Sequence, residues 1–118
     1  MKKFSIGIDL GGTKILIALV DKTTGEVICH VKKKTKKDKG PKNIIRKMVD
    51  GINELMDESS VNIDDIESIG IGAAGQVDRE NGILIGAPNL DCYDLNIREH
   101  LLSQFNWVTM LKSQQWAK

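Results

Sequence analysis

The chain has 118 residues, with 17 Lys plus Arg against 16 Asp plus Glu, 41% hydrophobic residues and 28% charged ones. That composition suits one folded domain and excludes a disordered chain. No apolar run approaches the roughly 18 residues of a membrane span, and Asp9 breaks the first apolar stretch before it could serve as a signal-peptide core, so a cytoplasmic location is expected.

Residues 3–10 read as a short buried strand, with Phe4, Ile6 and Ile8 alternating against Ser5 and Gly7. Residues 15–20 form an almost continuous apolar stretch, and residues 26–31 resume a strand pattern after the turn Asp21-Lys22-Thr23-Thr24-Gly25. Three strands joined by short turns predict an antiparallel meander. The window 31–42 then holds seven lysines and one acid, Asp38, and carries +6 against −5 for the rest of the chain. It has no arginine and no aromatic residue for stacking, and it ends in Gly40-Pro41, so a solvated loop is expected rather than a nucleic-acid footprint.

From Pro41 the period changes. Ile44, Ile45, Met48, Val49, Ile52, Leu55 and Met56 fall at spacings of three and four, one stripe on a helix of about four turns, with Pro41 suited to its first turn and Gly51 a mild weakness inside it. Residues 66–71 give another buried strand. A helix between two strands predicts a parallel neighbour, and therefore a mixed sheet in an α/β fold. Asn81-Gly82 marks a tight turn, residues 83–85 a further strand, and Leu95, Ile97, Leu101, Leu102 and Phe105 a last helix with Asp94 or Asn96 as its cap.

Cys29 and Cys92 lie 63 residues apart, outside any Cys-x-x-Cys or ligand-spaced cluster, and are expected to be reduced. The same lack of a third ligand argues against His30 or His100 as a metal ligand.

Two glycine-rich segments carry the chemistry. Gly7-Ile8-Asp9-Leu10-Gly11-Gly12-Thr13-Lys14 has the glycine spacing of a P-loop, but Thr precedes Lys and strand residues follow where a P-loop needs a helix. Two readings stay open. One is a plain hairpin whose glycines supply positive φ. The other adds phosphate binding, with the N–H groups of Gly12, Thr13 and Lys14 facing the anion, the Thr13 hydroxyl as a further donor, and Asp9 holding Mg²⁺ through water. The second segment, Gly70-x-Gly72-x-x-Gly75, matches the dinucleotide pattern, yet residues 76–82 run into a turn and a strand instead of a helix. Close backbone approach to a small ligand fits it better. Asn89, after Pro88, offers an amide suited to a sugar hydroxyl and is also a common turn residue.

Ile8-Asp9-Leu10-Gly11-Gly12-Thr13-Lys14, then Gly70-Ile71-Gly72-Ala73-Ala74-Gly75-Gln76-Val77-Asp78, then Ala87-Pro88-Asn89-Leu90, together resemble the amino-terminal half of the ROK family (repressor, open reading frame, kinase). The likeness covers residues 3–105. It implies the ribonuclease-H-like lobe shared with actin and hexokinase, and an ATP- and Mg²⁺-dependent kinase acting on a hexose. By position, Asp9 resembles the acid of the first phosphate motif, Gly11, Gly12 and Thr13 its ATP hairpin, and Lys14 completes it. Gly72, Ala74 and Gly75 resemble the loop whose backbone lies against the sugar, Ala74 standing where the family often has Pro. Asn89 resembles the residue that bonds sugar hydroxyls, and Asp78 a structural position.

The resemblance also sets out what is missing. The family continues into an Asn-Asp pair whose aspartate is the general base, whereas no carboxylate follows Glu99 here, and residues 106–118 depart from the pattern. No catalytic residue is therefore assigned, and the chain is expected to be an amino-terminal fragment without activity of its own, since a lost general base removes about 10²- to 10⁴-fold in rate. Its partners are expected to be a hexose and a nucleotide, without membrane or nucleic acid, and exposed apolar surface is expected to favour a homo-oligomer. Two further readings stand beside the kinase. One is the ligand-sensing domain of a ROK-type transcriptional regulator, although a first strand beginning by Lys3 leaves no room for a preceding helix-turn-helix. The other is an interaction module using the lysine run.

Overall fold

The computed structural model describes residues 3–104 and 108–113. Strands β1 (Phe4–Leu10), β2 (Lys14–Asp21) and β3 (Val27–Lys34) form the expected meander, and helix α1 (Pro41–Ser59) crosses over to β4 (Ile66–Ala73), which lies parallel to β1. A further strand, β8 (Val108–Ser113), pairs in parallel with β4, giving the order β3-β2-β1-β4-β8. The sheet is thus mixed, as the helix crossover requires. The boundary expected at residue 105 lies outside the described residues, as does Phe105 itself.

The core explains why these residues take these elements. The alternating Ile6, Ile8 and Leu10 of β1, and Ile15, Ile17 and Leu19 of β2, are all buried on one face, against Ile44, Met48, Ile52 and Leu55 of α1. Each such aliphatic side chain withdrawn from water stabilises the fold by roughly 1.5–3 kcal/mol. Helix α1 has Pro41 in its first turn and stops at Ser60, whose left-handed backbone (φ 60°) sends its N–H to the Met56 carbonyl at 3.0 Å. The helix is five turns rather than four. Gly51 is not a weakness in it: a Cβ there would press into the buried Ile17 side chain, 3.1 Å from Cγ1, so glycine is what lets helix and sheet approach.

The lysine run is a loop only over residues 35–40, which connect β3 to α1. Lys32, Lys33 and Lys34 continue β3 at the edge of the sheet, Lys33 pairs with Glu54 of α1, and Lys37–Lys39 form one 3₁₀ turn. Among the described residues no strand pairs with the outer edge of β3, and charges along such an edge discourage another chain from adding there.

Between β4 and β8 the chain builds a second, antiparallel sheet of β5 (Gln76–Asp78), β6 (Ile83–Ala87) and β7 (Cys92–Asn96), ahead of helix α2 (Ile97–Gln104). Leu95, expected in the last helix, lies in β7. Asn96 is the cap: its Oδ1 accepts the Glu99 N–H at 3.0 Å, and its side-chain Nδ2 donates to Glu99 Oε2 at 3.4 Å. Asp94 instead occupies a left-handed position (φ 53°) within β7. Cys29 and Cys92 are free thiols, each pushed above its usual pKa by burial first and a nearby carboxylate second. Among the described residues no helix is long and apolar enough to cross a membrane.

Candidate functional site

Three separated segments meet at one end of the main sheet. Asp9, one residue before the end of β1, stands opposite Leu16 of β2 on one side and Gly72 of β4 on the other. The hairpin at residues 11–14 and the loop at residues 72–75 therefore leave the sheet side by side. The third segment, a 3₁₀ turn at Pro88–Leu90, closes against the hairpin, because a Cβ on Gly12 would lie 3.0 Å from the Asn89 carbonyl oxygen and 3.4 Å from Asn89 Cβ.

The glycines of the hairpin have a different reason from the one the plain-turn reading supplies. Neither Gly11 nor Gly12 has positive φ. Gly11 is needed because its N–H donates to the Lys14 carbonyl at 3.0 Å while a Cβ would sit 2.7 Å from that same oxygen; Gly12 is needed because Asn89 is against it. Thr13 and Lys14 are exposed, and Lys14 faces Lys34 across the β2–β3 ladder, so the structure sets a second ammonium beside the hairpin. Asp9 is half-buried, and desolvation holds its carboxyl above the ordinary aspartate pKa.

In the second loop the positive φ does occur, at Gly75 (φ 150°), where a Cβ would overlap the Gly86 carbonyl oxygen and approach Ala87 Cα to 3.0 Å. Gly72 is buried, Ala74 half-buried and Gly75 exposed, so the loop rises from the core to the surface over four residues. Asn89 is exposed beside it. Asp78 turns away to its own hairpin: its carboxylate accepts from Asn81 Nδ2 at 2.8 Å and the Asn81 N–H at 3.1 Å, bonds that hold it below the usual carboxylate range.

Sequence reasoning missed two buried polar residues. Thr35 is wholly buried and Asn43 nearly so. The Thr35 N–H donates to the Thr13 carbonyl at 2.9 Å and its hydroxyl to the Gly11 carbonyl at 2.7 Å. Asn43 Nδ2 donates to the Thr35 carbonyl at 3.4 Å, and Arg46 Nη2 to Asn43 Oδ1 at 3.1 Å. Thr35 sits inside the lysine run, where nothing in the sequence separates a buried threonine from a solvated one.

Among the described residues no group of three His, Cys, Asp or Glu side chains could hold a metal ion.

The sequence model of the ROK family matches residues 5–114. A glucokinase of Thermotoga maritima is 33% identical over 97 residues, covering 81% of this chain and 29% of that protein. A xylose repressor of Caldicellulosiruptor bescii is 32% identical over 101 residues, covering 86% of this chain and 25% of that one. The ROK family glucokinase of Streptomyces griseus, solved with glucose and AMPPNP, superposes with a TM-score of 0.80 at 24% identity, over 93% of this chain and 33% of its own. The chain therefore spans about a third or less of these three proteins, and its sheet is that of the actin- and hexokinase-like sugar kinases.

Proposed function

This chain belongs to the ROK family, and from that premise we propose that it supplies the nucleotide hairpin and the sugar loop of an ATP-dependent hexose kinase. The observation that carries this reading is the abutment of the segments: Asp9 opposite Gly72, and Gly12 against Asn89. A phosphoryl transfer needs both substrates at one place, and most of its catalysis is positioning and charge stabilisation. The amides of Gly12, Thr13 and Lys14 receive the phosphates of ATP. The facing ammonium groups of Lys14 and Lys34 repel one another in the free protein, and an anion between them relieves that. Asp9 holds Mg²⁺ through water; the cation, when bound, neutralises charge on the transferring group, and its field offsets the desolvation that raises the Asp9 pKa. Gly72, Ala74 and Gly75 present backbone to the hexose, and the Asn89 amide bonds its hydroxyls. No general base is assigned among these 118 residues, so no turnover is expected of the chain alone. A cytoplasmic location goes with this reading, since that is where a kinase meets ATP.

A second reading, a sugar-responsive transcriptional regulator, is favoured by the similarity to a xylose repressor. The two part at Asp9→Ala in the protein expressed from its native locus. The kinase reading predicts sugar-dependent ATP turnover that Asp9→Ala abolishes while sugar binding survives. A sugar response that persists in the variant, with no nucleotide requirement, supports the regulator and contradicts the kinase.

A further inference from the structure

We propose that Thr35 is a positioning residue for the nucleotide hairpin, aiming its amide donors through two hydrogen bonds to the hairpin's carbonyls; the inference rests on the reading of residues 11–14 as a phosphate site. The geometry follows from the planar trans peptide, in which the N–H of one residue lies antiparallel to the C=O of the residue before it. The Thr35 hydroxyl holds the Gly11 carbonyl at 2.7 Å, so the Gly12 N–H points away from Thr35. The Thr35 N–H holds the Thr13 carbonyl at 2.9 Å, and the Lys14 N–H is turned in the same sense. No peptide here is cis. One buried residue thereby fixes two of the three amides expected to meet phosphate.

Thr35 is itself held. Its carbonyl accepts from Asn43 Nδ2 at 3.4 Å, near the start of α1, and Asn43 is steadied by Arg46 at 3.1 Å. The hairpin is thus tied to the long helix as well as to its own strands. A solvated turn would have to order its amides when the nucleotide arrives; a tethered one has them ordered beforehand, and pre-organisation of that kind appears as affinity. The tie is to the nucleotide hairpin, since the Thr35 hydroxyl and N–H both donate to carbonyls of residues 11 and 13.

The test compares Thr35→Val, which keeps the shape and loses the hydroxyl, with Thr35→Ser, which keeps the hydroxyl, by calorimetric titration of the 118-residue chain with ATP plus Mg²⁺ and separately with glucose. Thr35→Val is expected to weaken ATP binding by about tenfold, the factor an ordinary hydrogen bond carries, with glucose affinity unchanged within about twofold, and Thr35→Ser to restore ATP binding. A merely structural role predicts equal losses for both ligands, which would overturn the proposal; so would ATP binding by Thr35→Val at the parental affinity. If Thr35→Val fails to fold, Asn43→Ala, which releases the Thr35 carbonyl together with the Arg46 guanidinium, is expected to show the same selective loss, and parental affinities in that variant would overturn the proposal. A parental chain that binds glucose but no ATP refutes the phosphate reading of the hairpin and the inference with it, a result distinct from failure of Thr35 alone.

Discussion

Alanine placed at three glycines should give three different outcomes, because the structure assigns each glycine a different reason. At Gly70 a Cβ meets nothing within 4 Å, and φ is ordinary. Gly70→Ala should be neutral or stabilising by up to about 1 kcal/mol, the usual gain for removing glycine from a strand. At Gly12 the Cβ would lie 3.0 Å from the Asn89 carbonyl oxygen, a contact that a shift of a few tenths of an ångström relieves. A cost of about 1 kcal/mol is expected there, at the low end of overpacking. At Gly75 two penalties combine. The backbone has φ 150°, a region nearly confined to glycine and worth about 1–3 kcal/mol, and the Cβ overlaps the Gly86 carbonyl, which is backbone and cannot swing aside, for another 1–3 kcal/mol or so. Gly75→Ala should therefore lose about 2–6 kcal/mol, a large share of what holds a domain of this size together. Urea unfolding of the 118-residue chain measures all three, compared as midpoints at a common slope. Gly75→Ala within about 0.5 kcal/mol of Gly70→Ala, or a Gly12→Ala costlier than Gly75→Ala, would refute the reasoning.

Two further outcomes follow from burial. At an exposed helix position Gly51→Ala would gain about 1 kcal/mol; here the buried Ile17 removes or reverses that gain, and Ile17→Val, which deletes Cδ1, should return it, so a double-mutant cycle by thermal unfolding is expected to show favourable coupling and additive effects would contradict the contact. Asp9 titrates above the ordinary value of 3.8 in the native state because it is desolvated, so the unfolded chain loses its proton first as pH rises, the native state binds more protons through that window, and stability falls from 3.8 up to the raised value. Asp9→Asn should consequently unfold at higher temperature than the parent at pH 7 and lose that advantage near pH 3; equal melting temperatures at both pH values would contradict the assignment.

Much of the main sheet was legible in the sequence because its signals are local and strong. The alternation in residues 4–10, the stripe from Ile44 to Met56 and the glycine signals each fix an element without tertiary information, and the helix between two strands fixes the parallel pairing of β1 and β4. The small second sheet was harder to read. Its strands span three to five residues, too short for a period, and Leu95 fits a helical spacing with Leu101 and Leu102 as well as it fits β7. The lysine run misled because charge density speaks for solvent, while strand β3 needs only one edge bonded to continue through Lys34. At the site, the segments could be named from their residues but their contact could not. That Gly12 rests on Asn89, 77 residues later, depends on how the second sheet folds back. Thr35 carries no signal of its own, since the carbonyls it serves belong to a hairpin 22 to 24 residues earlier.

The central claim, that residues 9–14 receive a nucleotide beside a sugar loop at residues 72–75 and 89, is tested most directly by amide NMR spectra of the 118-residue chain titrated with ATP plus Mg²⁺ and with glucose. The account predicts nucleotide shifts concentrated at Gly11, Gly12, Thr13 and Lys14 and absent in Asp9→Ala, with glucose shifts at Gly72, Ala74, Gly75 and Asn89. Nucleotide shifts confined to the lysines of β3, or none between residues 9 and 14 in a chain whose sugar loop responds to glucose, would contradict it.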